Sequence, residues 1–273
     1  MKKLGKLYQL VNVLSLDVVA GAIVSALFFA RIFAVQILSW GVGALGLTVW
    51  IIYTTDHLVD ARSVHTPASS KRHRFHQNHF ALLAGGLLVA MVIDGVMISF
   101  IRKPVLYYGL VLAVAVVVYL LCQRSLKYVK EFCGAILYSV GVLLPAWSLS
   151  TTSISLSQGL LIAEFCITVF CNLLLFSLFD HHHDLRDHHH SFVTLMGDSS
   201  TRFLLSALFM LNGVLMLLQF FWLANTQSIL LVILFMNLML LIIFVFHKRF
   251  EVDDRYRLVG DAVFLVPLFF FVL

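Results

Sequence analysis

Aspartate recurs at intervals of four in two places, Asp56-His57-Leu58-Val59-Asp60 and Asp180-His181-His182-His183-Asp184, the second followed by Leu185-Arg186-Asp187. Side chains four apart on a helix lie on one face, one turn apart, so each pair can present two carboxylates to the same cation. Magnesium takes oxygen ligands in octahedral geometry and keeps several waters, so a few carboxylates plus phosphate oxygens suffice to hold it. The expected chemistry is a magnesium diphosphate site. Asp56 and Asp60 would serve one ion and Asp180 with Asp184 another, and Asp187, close to two turns beyond Asp180, could share that face. Arg62, Lys71, Arg72, Arg74 and Arg186 are candidates for the phosphates, since a guanidinium grips such oxygens with two parallel hydrogen bonds.

Both clusters follow apolar stretches, and those stretches fix the class of protein. Of 273 residues, 61% are hydrophobic and 12% charged, the composition of an integral membrane protein. A hydrocarbon core of about 30 Å needs roughly 20 apolar residues in a helix. Nine segments approach this length, at 14–31, 35–55, 80–101, 104–122, 133–149, 157–179, 203–223, 228–246 and 257–273. The expectation is an all-α bundle of nine transmembrane helices in one domain, residues 1–273, with polar loops at about 56–79 and 180–202 carrying the site. The first segment lacks the small-residue cleavage site and polar continuation of a removable signal peptide.

Orientation follows from the basic residues, which collect on cytoplasmic connections. With the amino terminus inside, 16 of the 19 Lys and Arg residues fall on the cytoplasmic side, leaving Arg31, Arg102 and Lys103 opposite. Both acidic loops are then cytoplasmic. The formal charge of +5 is dispersed among connections, which suits anionic lipid headgroups and argues against a nucleic-acid partner. Cys122, Cys133, Cys166 and Cys171 form no CxxC pair and read as reduced packing residues.

The two acidic loops are 124 positions apart with four helices between them, an arrangement that resembles the UbiA superfamily of intramembrane prenyltransferases over nearly the whole chain. Such enzymes carry aspartate-rich motifs after helices two and six. Thr55-Asp56-His57-Leu58-Val59-Asp60-Ala61-Arg62-Ser63-Val64 is similar to the first, without its leading Asn and with Val64 in the third acidic place. Asp180 to Asp187, then Ser191, Thr194 and Gly197, is similar to the second. Tyr119 with Lys127 or Lys130 resembles a Tyr and Lys near the end of helix four, which adds these lysines to the substrate-binding candidates. The resemblance implies Mg2+, a prenyl diphosphate and a lipophilic acceptor, aromatic or lipid. Metal neutralises charge on the departing diphosphate, and the acceptor attacks the resulting allylic cation in a cavity closed to water.

Other readings compete. His65, His73, His76, His79, His181 to His183 and His188 to His190 crowd the same two loops, and imidazole is a good ligand for iron, zinc or copper. A histidine-ligated membrane oxidase or desaturase is one alternative, although the spacing departs from the HxxxH and HxxHH sets of such enzymes. Asp17, Asp94, Glu164 and Asp261 fall inside apolar segments, where an acid faces a cavity or a partner. Each suits an interhelical hydrogen bond in its protonated form, and together they keep a proton-coupled transporter open. A CDP-alcohol type transferase fits poorly, because Asp60-Ala61-Arg62 lacks the glycine of its Asp-Gly-x-x-Ala-Arg core.

Overall fold

In a computed structural model, residues 2–63, 67–123, 125–187, 189–222 and 227–271 are described. The described residues are helical throughout, with no strand. Helix α1 (Lys2–Val13) and α2 (Leu16–Ile32) meet at a bend of 73°, made where Ser15 takes a left-handed conformation with φ of 56°. Next come α3 (Ser39–Ser63), a short α4 (Lys71–Asn78), α5 (Phe80–Ile98) and α6 (Lys103–Cys122). After a 3-10 turn at Lys127–Val129 follow α7 (Lys130–Leu149) and α8 (Leu156–Arg186), then α9 (Phe192–Met196), α10 (Asp198–Trp222) and α11 (Gln227–Val245). The chain closes with α12 (His247–Glu251), a 3-10 turn at Val252–Asp254, α13 (Arg255–Ala262) and a 3-10 segment, Val263–Phe271.

Local chemistry explains several of these starts and stops. The Ser155 hydroxyl receives the N–H of Gln158, whose side chain receives that of Ser155, a reciprocal cap for α8. Ser70 caps α4 through the N–H of His73. The α-helical bonding of α13 ends at Ala262 because a proline ring clashes with the carbonyl four residues back. Pro267 stands four after Val263, where the tighter 3-10 winding begins.

Seven described helices are long and apolar enough to cross a membrane: α3, α5, α6, α7 with its preceding turn, α8, α10 and α11. Counting the bent α1–α2 pair as one span makes eight. Among the described residues each expected segment is largely helical, but the expected nine spans are not all reached. The difference lies at the chain ends, where α2 alone has 17 residues and Arg255–Phe271 divides into 8 α-helical residues and 9 in the 3-10 segment that contains Pro267.

Helices α2 and α8 form the centre. Phe28 and Phe29 of α2, Phe165 of α8 and Phe264 of the last segment are buried and meet edge to face, Phe29 and Phe165 at 5.1 Å and Phe165 and Phe264 at 6.0 Å between centroids. Around them lie α3, α7, α10 and α11. In contrast α6 buries none of its side chains, and α5 exposes Leu82, Leu88, Val92 and Val96, apolar surfaces suited to lipid. The result is an integral multi-pass membrane architecture.

Candidate functional site

Both aspartate pairs lie on helices rather than in loops, a correction to the expected layout. Helix α3 continues to Ser63 and α8 to Arg186, so Asp56 with Asp60 and Asp180 with Asp184 occupy the last two turns of each. Apolar patterning stops before those turns, which is why the sequence reads them as connections. Carboxylates are disfavoured there, because a helix C-terminus carries partial negative charge. Each is accordingly met by a donor or a cation from another element.

Asp56 accepts a hydrogen bond of 2.9 Å from the Gln123 side chain. Asp60 lies 3.9 Å from Nδ1 of His189 in the second polar connection. Asp180 accepts the Tyr256 hydroxyl at 2.5 Å and pairs with the Arg257 guanidinium, both from α13. Tyr256 is held by stacking on Phe179 at 4.3 Å with planes 8° apart, and Arg257 lies 5.3 Å over the Phe176 ring. Asp184 is within electrostatic reach of Asp180, Lys130 and Arg257. Lys130, at the start of α7, lies in the electrostatic field of Asp56, Asp60, Glu131 and Asp184, and thus of both clusters at once.

The two polar connections interlock. Asp187 accepts the backbone N–H of Ser69 at 3.1 Å and its hydroxyl at 3.0 Å, while Nδ1 of His183 lies 3.0 Å from the same hydroxyl. Asp187 thereby holds the loop before α4.

Of the expected phosphate ligands, Arg72 and Lys130 reach the acidic centre. Arg72 is buried, donates to the Asn12 carbonyl at 2.8 Å and lies 3.9 Å from Asp261. The Asn12 amide nitrogen joins Asp17 at 2.6 Å and Asp261 at 2.7 Å, so one amide gathers two carboxylates beneath the arginine. Burial, with Arg257 nearby, pulls the Arg72 guanidinium below its ordinary range, against the opposing pull of Asp261, Asp17 and Asp180. The others face elsewhere. Arg62 lies 5.6 Å over the Phe80 ring, Lys71 pairs with Asp254 at 3.0 Å, and Arg74 grips the Ala68 carbonyl. Lys127 and Arg186 are exposed. Tyr119 places its hydroxyl 3.5 Å from the Lys130 carbonyl.

Three residues at the centre escape sequence reasoning: Gln123, Tyr256 and Arg257. Their only signal is position, a mixed-charge stretch and a chain turn opposite the acidic motifs, and that reads as ordinary interfacial polarity.

Four histidine rings cluster near the acids. The His57 ring is 5.1 Å from that of His76 and 6.4 Å from that of His73, which is 5.5 Å from that of His189. Nδ1 of His76 faces the Arg72 carbonyl at 2.9 Å, so that nitrogen carries the hydrogen. Burial pushes His73 down to about 3, with His189, Arg257 and Arg72 adding to the effect, and burial also lowers His76. Among the described residues no group of three or more His, Cys, Asp or Glu side chains is arranged to hold a metal ion. Val64, His65, Arg124 and His188 lie outside the described residues. A magnesium ion held by one or two carboxylates, with phosphate oxygens and water completing its shell, needs no such group. The spacing of the paired acids suits that mode, with both Asp180 oxygens already accepting hydrogen bonds from Tyr256 and Arg257.

No family model, curated protein or solved structure matches the chain. The likeness to UbiA enzymes therefore rests on the quoted motifs alone.

Proposed function

We propose that the chain is a UbiA-like prenyltransferase, moving an isoprenoid group from a prenyl diphosphate to a lipophilic acceptor with magnesium. The observation that carries this reading is Lys130, whose ammonium lies in the electrostatic field of Asp56 and Asp60 on α3 and of Asp184 on α8. Acids from two separate helices around one lysine form a mixed-charge surface of the kind a metal-bound diphosphate requires. In this reading the last segment completes a nine-span plan, and the amino terminus and both polar connections face the cytoplasm.

Magnesium, when bound, would lie on the Asp56 and Asp60 pair and on the Asp180 and Asp184 pair, neutralising the charge of the leaving diphosphate. The protein's own cations share that work. Lys130 offers three donors without a fixed direction, and Arg257 a planar fork whose partner Asp180 is itself a candidate ligand. Arg72, fixed by Asn12 and Asp261, supplies a cation whose position does not depend on substrate. The apolar tail and the acceptor would lie among the buried aromatic side chains of α2, α8 and the last segment, away from water that would quench an allylic cation.

The test is diphosphate release by purified protein supplied with prenyl diphosphates of several lengths and an aromatic acceptor, with and without magnesium. Magnesium-dependent release that disappears in Asp56→Ala and in Asp184→Ala supports the proposal. Iron or zinc bound stoichiometrically, and retained in both variants, would replace it with the histidine-metal alternative.

A further inference from the structure

Far from the acidic centre, a second polar group is enclosed among three membrane-spanning helices. Glu164 and Thr168 of α8, Asn212 and Gln219 of α10, and Asn237 of α11 are all buried, Glu164, Thr168 and Gln219 at 0% exposure. The amide of Asn212 donates to the Glu164 carbonyl, to the Thr168 hydroxyl and, at 2.8 Å, to the Asn237 side chain. Asn237 in turn donates to Thr168 at 2.8 Å. These bonds tie the three helices together, and interhelical amides and hydroxyls are common fastenings in lipid.

Three buried atoms in this group have no partner: Oε2 of Glu164, Oε1 of Gln219 and Oδ1 of Asn212. All three are acceptors. The group is short of hydrogen, and a buried polar atom left unpaired costs about 1–3 kcal/mol. The pair of Glu164 and Gln219 shows where one hydrogen belongs. Nε2 of Gln219 already donates to Oε1 of Glu164 at 2.7 Å. A hydrogen on Oε2 of Glu164, donated to Oε1 of Gln219, would close the cyclic two-bond pair that a carboxylic acid forms with a primary amide. It would satisfy two orphaned atoms at once. Exchanging the amide oxygen and nitrogen of Gln219 would set two oxygens 2.7 Å apart, which also calls for a hydrogen between them.

We propose that Glu164 and Gln219 form a proton-binding site inside the membrane-spanning bundle, separate from the diphosphate chemistry and independent of it. Glu164 stands 8 residues into α8, about 12 Å along the axis at 1.5 Å per residue, well inside an apolar layer about 30 Å thick. An ionisable group at such depth marks a site by default, and its partner here is named. The acceptor-rich lining of Glu164, Gln219 and Asn212 selects for positive charge, and the smallest occupant that completes the bonding is a proton.

The experiment uses the full chain in lipid nanodiscs. Dicyclohexylcarbodiimide, an apolar reagent that attacks protonated carboxyl groups, should label Glu164, as mapped by peptide mass spectrometry, with no protection by sodium ions. Infrared spectra should contain a carboxylic-acid carbonyl band that shifts in D2O, is missing in Glu164→Gln, and moves when Gln219→Leu removes the amide partner. Absence of both label and band overturns the proposal. So does protection by sodium at constant pH, which would make a metal ion the occupant. Should Glu164→Gln fail to fold, labelling of the wild-type chain and the response of the band to Gln219→Leu still decide it.

Discussion

The carboxylate of Asp187 receives both the backbone N–H and the hydroxyl of Ser69, 118 positions earlier in the chain. This is one direct fastening between the two polar connections, beside those of His183 with Ser69 and His189 with Asp60, and it sets the entry to α4, where Arg72, His73 and His76 reside. Asp187→Ala leaves the Ser69 backbone N–H without its acceptor, at a cost of about 1–3 kcal/mol, while the hydroxyl can still turn to His183. We expect a lower thermal midpoint in detergent and faster proteolysis between α3 and α4, with Asp187→Asn intermediate because it keeps one acceptor oxygen. An unchanged midpoint would show that the fastening is dispensable.

Arg257 and Asp180 should behave as a coupled pair. Removing one member of a buried ion pair strands the other, typically at about 3–5 kcal/mol, whereas replacing both by apolar groups can be nearly neutral. Arg257→Met alone should therefore destabilise more than Arg257→Met combined with Asp180→Leu. Additive losses in a double-mutant cycle of thermal unfolding would contradict the pairing. Tyr256→Phe, which removes one donor to the same carboxylate, should cost about 1.5–3 kcal/mol, the range for a bond to a charged group.

For activity, Lys130→Gln should lower diphosphate release about 100- to 1,000-fold, the usual loss when one preorganised charge partner is removed. Lys130→Arg should retain more, since it keeps the positive charge. Lys127→Gln, which alters an exposed side chain, should leave release within about twofold of wild type, as surface substitutions commonly do. Equal effects at the two lysines would dismiss Lys130 as the link between the clusters.

A pH dependence follows from His73. Its folded-state value of about 3 lies below the ordinary 6.5, so the unfolded chain binds more protons between these limits. Stability then rises with pH across that window. The contribution is fully present above about 6.5 and is lost as the solution is acidified toward 3. Replacing His73 by Phe should flatten that part of the stability profile measured by chemical denaturation. A profile of unaltered slope would remove His73 as its source.

Gly21 reports on the contact between α2 and the last segment. A Cβ there would lie 2.7 Å from Cβ of Phe264, an atom with no freedom to swing aside. Gly21→Ala should cost about 1–3 kcal/mol through overpacking, read as a lower thermal midpoint, and Phe264→Ala in the same chain should not recover it, because alanine keeps the Cβ that clashes.

The sequence conveys the apolar helices well, because a span is a compositional run and needs no knowledge of its neighbours. The expected 104–122, 157–179 and 228–246 correspond to helices 103–122, 156–186 and 227–245. The error of seven residues at the end of α8 has a clear origin. Helical geometry continues through Asp180 to Arg186 although the apolar run stops at Phe179, and a hydropathy pattern records solvent preference rather than backbone shape. The amphipathic α1 and the eight-residue α4 are hidden for a similar reason, being too polar or too short to register. At the candidate site, the four aspartates were legible from spacing. Arg257, Tyr256 and Gln123 were not, since each meets its acid at a separation of 67 to 77 positions and only the folded chain brings them together.

The span of α8 has one more consequence. Its 31 residues extend about 46 Å at 1.5 Å per residue, which exceeds the hydrocarbon thickness of about 30 Å by several turns. Asp180 and Asp184, 24 and 28 positions after Leu156, lie about 36 and 42 Å along the axis, on that surplus. Their height above the oily layer is thus set jointly by helix length and by acyl chain length, and a thicker bilayer would draw both carboxylates toward the hydrocarbon boundary.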